Sequence, residues 1–127
     1  MAYNLKIENK GEYLLFTATG KRSMDSVLSI AGDVLAACAR EKVKKALLDV
    51  RAMIGQLTQM EAYDLSQHHF PVMRDHNVLV RIVIVDHKEN EERYRFFETV
   101  ATNRGFNIRY CNNPQEGAEL LKNGKRP

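Results

Sequence analysis

The chain is short of the residues that usually announce a chemistry. It has two cysteines, Cys38 and Cys111, which lie far apart and match no metal or disulfide spacing. Cys38 falls on an apolar helical stripe and Cys111 at a strand end. Neither has the electropositive setting that activates a thiolate, and both suit a reducing compartment. No apolar run approaches the roughly 20 residues of a membrane-spanning helix. The N-terminus lacks the basic-then-apolar pattern of a secretory signal, so a cytoplasmic protein is expected. Charge of one sign is scarce too, since 19 Lys and Arg against 16 Asp and Glu leave +3. The charges are interspersed, which argues against a nucleic-acid or membrane footprint. One basic cluster, Lys122, Lys125 and Arg126, reads as a solvated tail. Aromatics are few, five Tyr, five Phe and no Trp, and they lack the interleaving with basic residues that stacks bases.

Catalytic signatures are missing as well. There is no G-x-G-x-x-G, no G-x-x-x-x-G-K-[ST] and no G-x-S-x-G. The four serines, Ser23, Ser26, Ser29 and Ser66, fall on expected helices or their caps, away from an obvious base. His68 and His69 are adjacent, so on a helix they point about 100° apart and cannot both face one metal. His76 lies beyond Pro71, and no metal-ligand spacing accompanies the three. Glu91 and Glu92 sit at a helix start, where the helix dipole favours acids. No cofactor and no metal is expected, and a non-enzymatic protein is the leading reading. The strongest enzymatic alternative would use Asp49, Asp86 and a histidine as acid–base groups.

What is present is an ordinary globular pattern. The 127 residues, 44% hydrophobic and 28% charged, suffice for one domain spanning 1–127, with a core over about 3–121. Tyr3, Leu5 and Ile7 alternate with Asn4, Lys6 and Glu8, the period of a half-buried strand. A turn at Asn9–Gly11 leads into a second strand, Tyr13–Thr19, making a hairpin. Ser23 caps a helix with an apolar stripe from Val27 to Cys38. Lys45–Val50 is a short apolar strand, followed by a loop from Arg51 to Leu57. Thr58 with Glu61 forms a capping box, opening a helix that ends or kinks before Pro71. Val78–Asp86 is the most apolar strand. A helix from near Asn90 to Asn103 ends at Gly105, and Asn107–Cys111 is the fifth strand. Asn113 and Pro114 start a last helix that reaches Leu121.

Strands alternating with helices call for parallel pairing through right-handed crossovers. The expected fold is therefore α/β, a five-stranded, mostly parallel sheet with an antiparallel N-terminal hairpin. The third and fourth strands lie inside, and the first and fifth at the edges. In such sheets ligands gather outside the carboxyl ends of the strands. That edge collects Asp49, Arg51, Gly55 and Thr58 after the third strand, Asp86 and His87 after the fourth, and Asn112 and Asn113 after the fifth. Thr58 also reads as a simple cap, and Asp49 as closing onto a neighbouring backbone N–H.

The hairpin followed by LLDVRAMIGQLT, RIVIVD and FFETVATNRGFNIRYCNNPQEGAELL resembles the SpoIIAA-like group, related in fold to STAS domains. The likeness covers roughly residues 11 to 122. Its most specific pieces are Leu47–Thr58 and Glu98–Cys111, the latter containing Asn103, Arg104 and Gly105. The resemblance implies a singly wound sheet, a bacterial origin and a regulatory protein-binding role. Candidate partner- or ligand-binding residues are Asp49, Arg51, Gly55, Thr58, Asp86 and Arg104. Anti-sigma-factor antagonists of this kind carry a phosphorylatable serine in a D-S-S-G-like turn after the third strand. Here that stretch reads G-Q-L-T, and Thr58 is its one hydroxyl. A phosphate there would sit at a helix N-terminus. A likeness of the group to the CRAL-TRIO fold implies, as the alternative, a carrier of a small apolar ligand or lipid in a pocket at the strand ends. Edge strands and an apolar second sheet face also invite homodimerisation.

Overall fold

The computed structural model describes residues 3–103 and 105–123. Its sheet has the order β1-β2-β3-β4-β5. β1 (Tyr3–Asn9) pairs antiparallel with β2 (Leu14–Lys21), and the other pairings, to β3 (Lys45–Ile54), β4 (Arg81–Val85) and β5 (Ile108–Cys111), are parallel. The expected hairpin, interior strands and edge strands are all present. Gly11 takes φ +91° in the hairpin turn, a conformation that suits glycine.

From β2 onward each strand lies beside its predecessor, always stepping in one direction. Right-handed crossovers then put every connecting helix on the same face of the sheet. The packing follows this rule. α1 (Met24–Glu41), α2 (Gln59–Asp64), α3 (Phe70–Asp75) and α4 (Glu91–Asn103) supply Ile30, Val34, Ala62, Phe70 and Phe97 to one core with Phe16, Leu48 and Ile108 of the sheet. α5 (Pro114–Asn123) alone covers the opposite face, where Leu120 and Leu121 meet Leu47, Val83, Val85 and Cys111. The second face is therefore not an open apolar surface. α5 occupies its centre, and the β1–β2 flank carries the exposed Asn4, Lys6 and Thr19.

The largest differences from the sequence reading fall at three boundaries. β3 continues to Ile54, because Ala52, Met53 and Ile54 pair with Thr19, Gly20 and Lys21 of β2. Thr17 faces Asp49 while Thr19 faces Ala52, so Val50 and Arg51 together oppose Ala18. This bulge shifts the alternation and turns Met53 into the core. β4 starts at Arg81, not Val78. The helical run after Thr58 does not end before Pro71 but continues to Asp75. Leu65–His69 widen into a π turn in which the Phe70 N–H bonds the Leu65 carbonyl. A proline cannot donate to the carbonyl four residues back and clashes with it in a regular α-helix; the wider turn accommodates that defect.

The caps form as the sequence indicates. Ser23 with Ser26 and Thr58 with Glu61 are reciprocal capping boxes. Asn113 Oδ1 accepts the Glu116 N–H at 2.8 Å, and the Gly105 N–H bonds the Thr102 carbonyl. Of the basic tail, Lys122 belongs to α5, and Lys125 and Arg126 lie outside the described residues.

Two core positions yield tests. A Cβ on Gly117 would lie 2.6 Å from Leu47 Cδ1 and 3.2 Å from Cys111 Sγ. In an open helix Gly→Ala gains about 1 kcal/mol, whereas overpacking costs about 1–3 kcal/mol. Gly117→Ala should therefore destabilise the protein in urea unfolding, and a stabilised variant would refute the tight α5–sheet contact. Burial also pushes the Cys38 thiol up to about 11 from 9.0. The unfolded chain loses this proton first, so the associated stability is intact below pH 9 and declines until about pH 11. Cys38→Ala should show a shallower loss of stability than the parent across that window.

Candidate functional site

The carboxyl edge of the parallel strands is organised by an arginine just past β2. Arg22 is buried, with its backbone N–H on the Ile54 carbonyl at 2.7 Å. Its Nη1 donates to Asp86 Oδ2 at 2.9 Å and to the Tyr94 hydroxyl at 3.0 Å, and its Nη2 to the Val50 carbonyl at 3.3 Å. Tyr94 donates in turn to Asp86 Oδ2 at 2.8 Å, while Asp86 Oδ1 accepts the His87 N–H at 2.7 Å. Tyr94 stacks flat on Tyr110, with centroids 4.9 Å apart. The Tyr110 hydroxyl donates to the His87 carbonyl at 3.1 Å. One network thus ties the ends of β2 and β4 to α4 and β5.

Electrostatics follow from this closure. Burial opposes the charge on Arg22, but Tyr94 and Asp86 overcome it and hold the guanidinium above the ordinary arginine range. Burial, reinforced by Asp86, drives Tyr94 well above an ordinary phenol. Burial, then Glu91 and Asp86, pushes Tyr110 up to about 12. All three groups keep their protons near neutrality.

The sequence-derived candidates separate into two groups around this network. Asp49 and Arg51 pair with each other, Arg51 Nη2 to Asp49 Oδ2 at 2.7 Å and Nε to Oδ1 at 3.0 Å. Asp49 also accepts the Arg51 backbone N–H at 3.1 Å, the expected bond to a neighbouring backbone N–H, but it does so within β3 and does not close the strand. Register puts Asp49 opposite Thr17 and Val85, on the α5 side of the sheet. Asp86 is fully buried beneath Arg22 and Tyr94, so it is not an exposed docking group or a free acid–base group. The His87 ring bonds the Arg51 carbonyl at 2.9 Å and is the bridge between the groups. Gly55 takes φ +89°, and a Cβ there would lie 3.7 Å from the Arg22 carbonyl oxygen. Thr58 is exposed, and its hydroxyl oxygen accepts the Glu61 N–H at 3.1 Å. Arg104 lies outside the described residues. His68 and His69 both meet Asp64 at the surface, at 2.7 and 3.6 Å. Among the described residues no cluster of His, Cys, Asp and Glu could hold a metal ion.

Arg22 carries no reading in the sequence, and Tyr94 reads there only as part of the inner stripe of its helix. The rule that selected Asp49 and Asp86 applies equally to β2, whose carboxyl end lies on the same edge, and Arg22 is the first residue past it. Behind the network, a cavity of about 130 Å³ lies between the sheet and α1–α4. Its wall is apolar except for Arg22, Gln56, Arg93 and Tyr94, all at the carboxyl edge. Arg93 Nη1 donates to the Leu57 carbonyl at 2.5 Å.

Removing one partner of a buried ion pair costs about 3–5 kcal/mol, whereas replacing both with apolar groups is often neutral. Arg22→Met and Asp86→Leu should each destabilise by that amount, and the double variant should recover most of the loss. Additive losses in a urea double-mutant cycle would contradict direct coupling.

No protein-family model and no curated protein matches the sequence. Solved structures do resemble the fold. An anti-sigma factor antagonist from Mycobacterium paratuberculosis superposes with a TM-score of 0.59 at 10% identity, over 95% of each chain. An uncharacterized protein with a SpoIIAA-like fold from Shewanella loihica PV-4 gives 0.55 at 20% identity, over 94% of this chain and 93% of that one. No helix among the described residues is long and apolar enough to cross a membrane. With its hairpin, its parallel strands and its crossover helices on one face, the chain has the SpoIIAA-like fold.

Proposed function

We propose that this protein is a regulatory protein-binding module that docks its partner through the loop and helix start from Arg51 to Glu61 and the groove beside them. The carrying observation is where apolar side chains remain exposed. Ile54, Met60, Tyr63 and Phe96 are 73%, 82%, 58% and 47% exposed. Met60, Tyr63 and Phe96 line one groove between α2 and the start of α4. A cluster of this kind beside a rigid scaffold favours a partner over solvent. Glu89 and Glu92 border the groove, which suits a protein partner offering an apolar side chain flanked by basic ones. The likeness to an anti-sigma factor antagonist supports the reading at the level of fold.

Thr58 is the candidate switch. Its hydroxyl is surface-exposed, and Glu61 caps its N–H at 2.9 Å. A phosphate there would replace the cap with a negative charge beside Glu61 and reshape the helix start. A second reading, a carrier of a small apolar ligand, draws on the cavity behind the Arg22 network.

A photo-crosslinker at Gln59, introduced in the native host, should capture a distinct protein. Met60→Asp and Phe96→Asp should each cut capture at least about tenfold, the scale of one lost interface anchor. Val72→Asp and Val80→Asp, which alter exposed apolar residues elsewhere, should not. Capture insensitive to Met60 and Phe96, or capture of a second copy of this chain, would overturn the proposal.

A further inference from the structure

We propose that the cavity between the sheet and α1–α4 binds a small amphipathic monocarboxylate, its apolar body inside and its carboxylate on Arg22 and Arg93. This rests on the carrier reading and adds the class of ligand. The cavity is polarised along its length. Leu35, Leu79, Ile82 and Ile108 line the end away from the carboxyl edge, and Arg22, Gln56, Arg93 and Tyr94 line the other. Gln56, at the polar end, is exposed.

Charge selects an anion. Two arginines line the cavity and no aspartate or glutamate does. Asp86 neutralises Arg22 from behind at 2.9 Å, while Arg93 has a carbonyl partner and no ion pair among the described residues. Glu89 and Glu92 share the outer groove with Arg93 but do not line the cavity. One positive charge is therefore left over, which a monoanion balances and a dianion would exceed.

Volume selects the body. Cavities of about 150 Å³ lined by Leu, Ile and Phe hold benzene, so about 130 Å³ accommodates one ring or a short branched chain. A long acyl chain exceeds it.

Methyl NMR titration with phenylacetate and with its neutral counterpart phenylacetamide tests this. Phenylacetate should shift the methyls of Ile30, Val34 and Leu48, which line the cavity, in a saturable manner. The amide should bind at least about tenfold more weakly, the scale of one charge-assisted hydrogen bond. Arg93→Gln should weaken phenylacetate about tenfold and leave the amide unchanged. Equal affinity for acid and amide would overturn the anionic class while leaving a carrier. No shift of these methyls by either compound would overturn both.

Discussion

The rest of the carboxyl edge depends on the pairing of Arg22 with Asp86. Both side chains are removed from water, at 8% and 0% exposure, and ions so placed are tolerated only when paired and hydrogen-bonded. Each requirement recruits another element. Arg22 needs acceptors, and takes Asp86, the Val50 carbonyl and the Tyr94 hydroxyl. Asp86 needs donors, and takes Arg22, Tyr94 and the His87 N–H. These bonds hold the start of α4 and the bulge of β3 beside the end of β2. A buried pair is a weak source of net stability; what this one supplies is a set of bonds that joins residues of β3, β4's end and α4 to Arg22.

That geometry separates two surfaces with different chemistry. Outside the network, α2 and the start of α4 expose Met60, Tyr63 and Phe96 around a groove. Inside it lies the apolar cavity. Arg93 borders both, and its bond to the Leu57 carbonyl ties it to the segment that carries Thr58.

Much of the fold was legible because local signals and the global rule agreed. Alternation in Tyr3–Glu8, the apolar strands around Leu47 and Ile84, and the caps at Ser23, Thr58 and Asn113 each pointed to the element that forms. The exceptions are places where a distant partner decided. β3 runs past Val50 because Thr19–Lys21 offer it a ladder, and the bulge that keeps Met53 inside has no signature in its own sequence. Pro71 signalled a break, and a π turn, visible only in backbone geometry, absorbed it. Only part of the site was legible. Asp49 and Arg51 formed a local pair readable from their spacing, but Asp86 acquired its meaning from Arg22, 64 positions away. A single arginine between a strand and a helix cap carries no signal of its own burial.

The most direct test of the central pairing is the NMR spectrum of the arginine side chains. Held by Asp86, Tyr94 and the Val50 carbonyl, the Arg22 guanidinium should show separate, slowly exchanging Nη protons with contacts to the Tyr94 ring. The exposed Arg95 should average its own by rotation and exchange with water. An Arg22 signal averaged like that of Arg95 would contradict the account.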